Sequence, residues 1–195
     1  MTSLAQLGVD PVPQRANARF ALVQTARRLW QTGHRVVGLL PATPAVATMG
    51  LALQLAKALS DLNAGTVAVI DANPQKPALA KLAPEPSAST GAAFVELRLQ
   101  DSPIVVTTRP RGLESPTGTL EELARVVAAQ REQAVLTLLD LTGFRELGEH
   151  LDAYQLADGV VIVAHTGKTP ERAVARCSRE IPAAVNLGVL LIERS

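Results

Sequence analysis

The sequence predicts an α/β fold of three layers, a doubly wound, mostly parallel sheet flanked by helices, and three observations predict it. Short apolar runs of strand length (35–40, 66–71, 134–140, 159–164 and 187–192) alternate with segments patterned as helices, the order that right-handed βαβ crossovers produce. Hydrophobic residues make up 47% of the chain but aromatic residues only 3%. The core is therefore built from Ala, Val, Leu and Ile, which suits strands covered on both faces. Finally, 195 residues suffice for one domain whose core needs neither disulfide nor metal. The expected organisation is an N-terminal segment, 1–34, holding an amphipathic helix, and a single domain, 35–195.

Taken in order, residues 15–31 read as the amphipathic helix, with Phe20, Val23, Ala26 or Arg27, and Trp30 at three- and four-residue spacing, ended by Gly33. The strand 35–40 follows. Segment 47–60 is apolar nearly all round, which predicts a helix buried against the sheet and a neighbour. Residues 66–71 form a strand ending in Asp71. A short helix is expected over 76–82, and a loop over the Pro- and Ser-rich stretch 84–91. Residues 92–99 and 103–107 are weaker strand patterns, the first fitting a helix equally well, and 109–118 is a second Pro/Gly loop. Thr119-Leu-Glu-Glu122 opens a helix in the manner of a capping box, with Leu120, Leu123, Ala124, Val127 and Ala128 on one face. Strand 134–140 ends in Asp140, 144–156 is helical, and 159–164 is a core strand. Thr169 is the expected N-cap of the next helix with Pro170 at its first position, and 187–192 is the last strand. There is no internal repeat and no heptad seam.

Charge and cysteine content exclude several classes. A net charge of +1 gives no electrostatic case for a nucleic-acid partner. The one cysteine, Cys177, forms no intramolecular disulfide and no structural zinc site, and fits a reduced, cytoplasmic setting. Residues 1–14 include Asp10 and no apolar core, so no signal peptide is expected. The 21 residues from Val36 to Ala56 carry no charge and match a bilayer span in length. With Pro41, Pro44, two threonines and Gln54 among them, they read as a core strand plus a buried helix.

The strand, tight loop and buried helix of 35–60, followed by the strand 66–71, resemble the opening of the MinD/ParA-like P-loop ATPases. The closest resemblance is to the cytoplasmic domain of the bacterial tyrosine kinases of capsule and exopolysaccharide systems. Residues 67–77 are similar to the kinases' second carboxylate motif, with Asp71 kept and Asn73 at the second carboxylate. Residues 135–143 resemble their Walker B-like strand, with Asp140 kept and Gly143 in place of a proline. Residues 156–174 are similar to the following strand, turn and helix, and 187–194 to the final strand. The resemblance spans about 35–194, is weakest over 84–118, and rests on five matches in order rather than on any single motif.

The resemblance implies a nucleotide site whose key positions are replaced. Ala42 and Ala47 stand where the two defining glycines would be, Thr48 for the lysine, and Met49 for the magnesium-binding hydroxyl. A phosphate loop needs glycine where the backbone turns toward the phosphates, a lysine for the β- and γ-phosphates, and a hydroxyl on Mg²⁺. Methionine offers no hard oxygen to Mg²⁺, threonine offers no charge, and Pro41 and Pro44 remove two N–H donors from the loop. In the family Asp71 and Asp140 would position magnesium or water; here they cap loops instead. The expectation is no cofactor, no catalytic residue and no metal, with Ala42, Ala47, Thr48, Met49, Asp71, Asn73 and Asp140 as vestigial positions.

Function is therefore expected to be non-catalytic. The chain would be a pseudo-kinase scaffold or regulator of exopolysaccharide, capsule or holdfast-type polysaccharide biosynthesis and export. Its partner would be a membrane polysaccharide co-polymerase or related export-machinery protein, in a homo- or hetero-oligomer, without nucleic acid. It would be cytoplasmic and recruited to the inner membrane through that partner. Two alternatives stand beside this: a MinD/ParA-like partner in division or positioning without ATPase activity, and a residual nucleotide-dependent switch in which Arg109 or Arg111 replaces the lysine. The kinases' tyrosine cluster has no counterpart, Tyr154 being the one tyrosine, and 15–31 holds arginines but no Glu of the kinases' oligomerisation motif. A MinD-type C-terminal membrane helix is not expected, since the last predicted element is a strand. Gly167-Lys168-Thr169 is read as a turn and cap rather than a phosphate loop. His34, His150 and His165 have no ligand spacing, and Cys177, among Arg176 and Arg179, is read as a plain helical cysteine.

Overall fold

The computed structural model describes residues 16–62, 65–83, 93–99, 102–110 and 119–193. Its strands are β1 (Val36–Pro41), β2 (Val67–Asp71), β3 (Val95–Arg98), β4 (Ile104–Thr108), β5 (Leu136–Asp140), β6 (Gly159–His165) and β7 (Asn186–Ile192). Its helices are α1 (Ala16–Gln31), α2 (Thr48–Asp61), α3 (Thr119–Gln133), α4 (His150–Tyr154) and α5 (Glu171–Glu180). The strands form one sheet in the order β3-β4-β2-β5-β1-β6-β7. All pairs are parallel except β3 with β4 at one edge.

The central strands explain the near-continuous apolar runs. β2, β4 and β5 are buried at every position, as is β1 up to Leu40, because helices cover both faces. One face packs Val37, Leu39, Val67, Val69, Leu136 and Leu138 against α1 and α2. The other packs Val36, Ile70, Leu139, Val160 and Ile162 against residues of α3, α4 and α5. This is the expected three-layer architecture. The charge-free stretch 36–56 is β1, a loop and most of α2, and among the described residues no helix is long and apolar enough to cross a membrane.

Several local expectations are corrected. In α1 the residues turned inward are Leu22, Val23, Ala26 and Leu29, packed with α2, so of the expected stripe Val23 and Ala26 face the core while Phe20 and Trp30 are 66% and 42% exposed. No helix forms over 76–82: Ala80 N–H reaches Pro77 O and Leu82 N–H reaches Leu79 O in isolated turns, and the Leu79 N–H is taken by the Asp71 carboxylate. Of the stretch 92–99, Val95–Arg98 form a strand, β3. The inward face of α3 runs Leu123, Val127 and Gln130 rather than through the exposed Ala128, and Gln130 donates to Glu96. The helix expected over 144–156 shrinks to α4, because Gly143 and Gly148 hold φ of 89° and 76°, values that break a helix. At α5 the N-cap is Pro170, with no side-chain cap; Thr169 instead accepts the His165 N–H with its hydroxyl at 2.8 Å. Pro41 lies at the end of β1 rather than in the loop. Leu39 O faces Leu141 on the β5 side and Ala42 N–H faces Val163 on the β6 side, so the missing Pro41 N–H points past the end of β5. The loop 84–91 and most of 109–118 lie outside the described residues.

Candidate functional site

The order β2-β5-β1 brings together residues far apart in sequence. Asp71 and Asp140 are register partners at the C-terminal ends of β2 and β5, and Asp140 also pairs with Leu39 of β1. The six residues 42–47 connect β1 to α2, whose first residue is Thr48. The carboxyl ends of parallel strands, with a helix N-terminus beside them, are where open α/β sheets bind ligands.

Asp140 sits at the centre of a tight hydroxyl cluster. Its Oδ1 accepts the Thr48 hydroxyl at 2.5 Å, the Thr142 hydroxyl at 2.6 Å and the Thr142 N–H at 3.0 Å. The two threonine oxygens are 2.8 Å apart. Burial pushes the Asp140 carboxyl up from its ordinary value, and the two threonines oppose that rise. Thr142 was not foreseen as a site residue. The signal was present, since a residue two beyond an Asp is placed to donate its N–H to that carboxylate.

Asp71 is equally buried and differently used. Its Oδ2 accepts the Leu79 N–H at 2.7 Å and the Thr108 hydroxyl at 3.1 Å, while its Oδ1 has no hydrogen-bond partner. Burial pushes its carboxyl up to about 7, with the Asp140 charge adding to the rise and the Leu79 and Thr108 donors opposing it. Both carboxylates thus accept loop N–H groups and threonine hydroxyls at strand ends. Asn73 does the same one step outward, its Oδ1 accepting the Gln75 and Lys76 N–H groups at 3.1 and 3.0 Å. A Cβ on Gly143 would approach that Oδ1 to 2.7 Å, so glycine is needed there both for space and for its positive φ.

The remaining predicted positions do not converge on the carboxylates. Ala42 is buried and donates its N–H to Val163 O at 2.9 Å. Ala47 is the exposed N-cap of α2, with no side-chain cap bond. Met49 is 6% exposed and packs into the core under α2. Arg109 is buried, donating to Pro74 O at 3.2 Å and lying 6.0 Å from the centre of the Phe94 ring; Arg111 lies outside the described residues. Gly167, with φ 69°, and Lys168 form the turn after β6. Cys177 faces inward, away from the exposed Arg176 and Arg179, and accepts a hydrogen bond from Arg145 at 3.3 Å. Arg145 also pairs with Glu180, which His150 approaches at 3.7 Å. Among the described residues no group of three or more His, Cys, Asp or Glu is placed to hold a metal ion.

No family model matches the chain, and no curated protein matches it. Solved structures do. The chimerical protein CapA2B2 superposes with a TM-score of 0.72 at 15% identity, covering 98% of this chain and 97% of that one. The VpsO kinase domain gives 0.66 at 18% identity, over 92% and 95%. The kinase domain of the Escherichia coli tyrosine kinase ETK gives 0.65 at 14%, over 88% and 76%. At these identities the likeness shows the fold, which is that of bacterial tyrosine kinase domains.

Proposed function

We propose that this chain is a non-catalytic protein on the bacterial tyrosine-kinase fold, a scaffold or regulator of exopolysaccharide, capsule or holdfast-type polysaccharide assembly and export. Its contact would be the cytoplasmic end of a membrane co-polymerase or another protein of the export machinery. The observation that carries the reading is Thr48. It opens α2 at the position matched to the phosphate-loop lysine, and its hydroxyl is held between Asp140 and Thr142. Next to it, Met49 is committed to the core where the family places a magnesium-binding hydroxyl. A bound Mg²⁺-triphosphate needs a cationic side chain at the first of these positions, which Thr48 is not, and a hard oxygen donor at the second, which Met49 lacks. With the chemistry gone and the fold kept, the protein–protein contact is the function left to serve. This last step rests on analogy of fold.

Isothermal titration with ATP and ADP, with and without Mg²⁺, tests the first half. The expected result is no heat at millimolar nucleotide; saturable, Mg²⁺-dependent binding would overturn it and favour a nucleotide switch. Affinity capture from detergent-solubilised membranes of the native cell tests the second half. Recovery of a polysaccharide co-polymerase is expected, and capture of division or positioning proteins without one would refute it.

A further inference from the structure

We propose that the outward face of α1 is a contact for an anionic lipid bilayer, lying in the headgroup region with Phe20 and Trp30 at the interface and Arg19 and Arg27 on the lipid phosphates. The proposal is independent of whether the chain binds nucleotide. Phe20, Arg27 and Trp30 lie along one side of the helix at seven- and three-residue spacing, with Arg19 beside them, while Val23 packs inward. Phe20 is 66% and Trp30 42% exposed, while Arg19 and Arg27 are exposed as well and Val23 is half-buried. The inward packing of α1 is already met by Leu22, Val23, Ala26 and Leu29 against α2. The outward aromatic residues therefore serve no core, and large exposed aromatics grouped together mark a contact surface.

Charge selects the occupant. Between Pro11 and Ser60 lie six of the chain's nineteen Lys and Arg and none of its eighteen Asp and Glu. A chain that is nearly neutral as a whole is thus strongly basic along this stretch, and α1 holds no carboxylate at all. A second copy docking on the same face would set arginine against arginine, which like-charge repulsion opposes. A lipid surface of negative charge has no such conflict. Trp is a side chain that settles at the membrane–water boundary, and Arg lays its stem along apolar surface while its head stays at the phosphates. A single outward helix stripe, basic and aromatic, lies on a membrane rather than through it, in keeping with the lack of a spanning helix among the described residues.

Trp30 is the only tryptophan in the chain, so its emission reports on this face directly. The full chain would be titrated with vesicles of phosphatidylcholine and phosphatidylglycerol in a ratio of about three to one, and separately with phosphatidylcholine alone, alongside flotation on a density gradient. The expected result is a blue shift and co-flotation with the anionic vesicles only, reversed by raising salt well beyond the screening range. The double variant R19Q/R27Q should weaken partitioning about 25-fold, about fivefold for each arginine removed. Phe20→Ser should weaken it at unchanged charge, and R125Q, on α3, should leave it alone. Circular dichroism confirms that each variant folds. No shift with anionic vesicles, equal binding to both compositions, or loss in R125Q as large as in R19Q/R27Q would overturn the proposal. So would a blue shift that follows protein concentration without lipid, which would assign the face to self-association.

Discussion

Raising the pH through neutrality should cost this protein stability, and Asp71 is the reason. Burial, aided by the Asp140 charge, pushes its carboxyl from an ordinary 3.8 up to about 7, and the donors Leu79 N–H and Thr108 hydroxyl only partly resist. Between those two values the unfolded chain has released the proton while the native protein keeps it. The native state then binds more protons than the unfolded state, so stability falls as pH rises. The whole displacement corresponds to ~4 kcal/mol, of which about 2.5 kcal/mol falls between about pH 5 and pH 8. Asp140 is displaced in the same direction and adds to the trend.

The assay is urea unfolding at stepped pH for the native chain and Asp71→Asn. Asparagine keeps an acceptor for Leu79 and Thr108 but cannot ionise, and its amide nitrogen takes the place of an oxygen that has no partner. Subtracting one stability curve from the other cancels the titrating groups that do not interact with Asp71, leaving Asp71 and its coupling to Asp140. The difference, native minus variant, should drop by about 2.5 kcal/mol from about pH 5 to pH 8 and level off above. A difference that stays flat or rises over that window would refute the reasoning, since it would mean that Asp71 is ionised in the folded protein.

Three further outcomes follow from single contacts. Thr48→Val removes the hydroxyl that Asp140 accepts while keeping most of the volume, and should lower unfolding free energy by ~1–3 kcal/mol in the same denaturation assay. Gly143→Ala forces a Cβ into Asn73 at a φ of 89°, so a loss of about 2 kcal/mol is expected, with Asn73→Gly relieving part of it in the double variant. Asp158 accepts the Arg35 and Val36 N–H groups at 2.8 and 2.9 Å and pairs with Arg131. Burial alone would raise its carboxyl, but the Val36, Arg131 and Arg35 donors hold it below the ordinary range. Its contribution is therefore present above about pH 4 and lost as pH falls further. Asp158→Asn should cost ~1–2 kcal/mol near neutrality and progressively less in acid, as read by thermal unfolding against pH.

The fold was legible because its signals are local. Each core strand is a charge-free run that stops at a carboxylate or a turn, and the helices between them have one or more apolar faces. What failed was whatever depends on partners distant in sequence. The pattern over 76–82 allows a helix, but the Asp71 carboxylate, placed by β2, takes the Leu79 N–H. In α1 two overlapping apolar stripes have the same period, and only the position of α2 decides that Leu22, Val23, Ala26 and Leu29 turn inward while Phe20 and Trp30 do not. At the candidate site both carboxylates could be named from strand ends. Their adjacency could not, because β2 and β5 are neighbours across two intervening strands in the chain order.

The same adjacency explains how two carboxylates coexist in a buried place. In a working phosphate site, cations would answer the charge at these strand ends. Here Thr48 answers Asp140 with a hydrogen bond rather than a charge, and a hydrogen bond does not offset the cost of holding an ionised carboxylate out of water. Burial raises both carboxyls from their ordinary value, and for Asp71, pushed up to about 7, protonation below neutrality removes that cost.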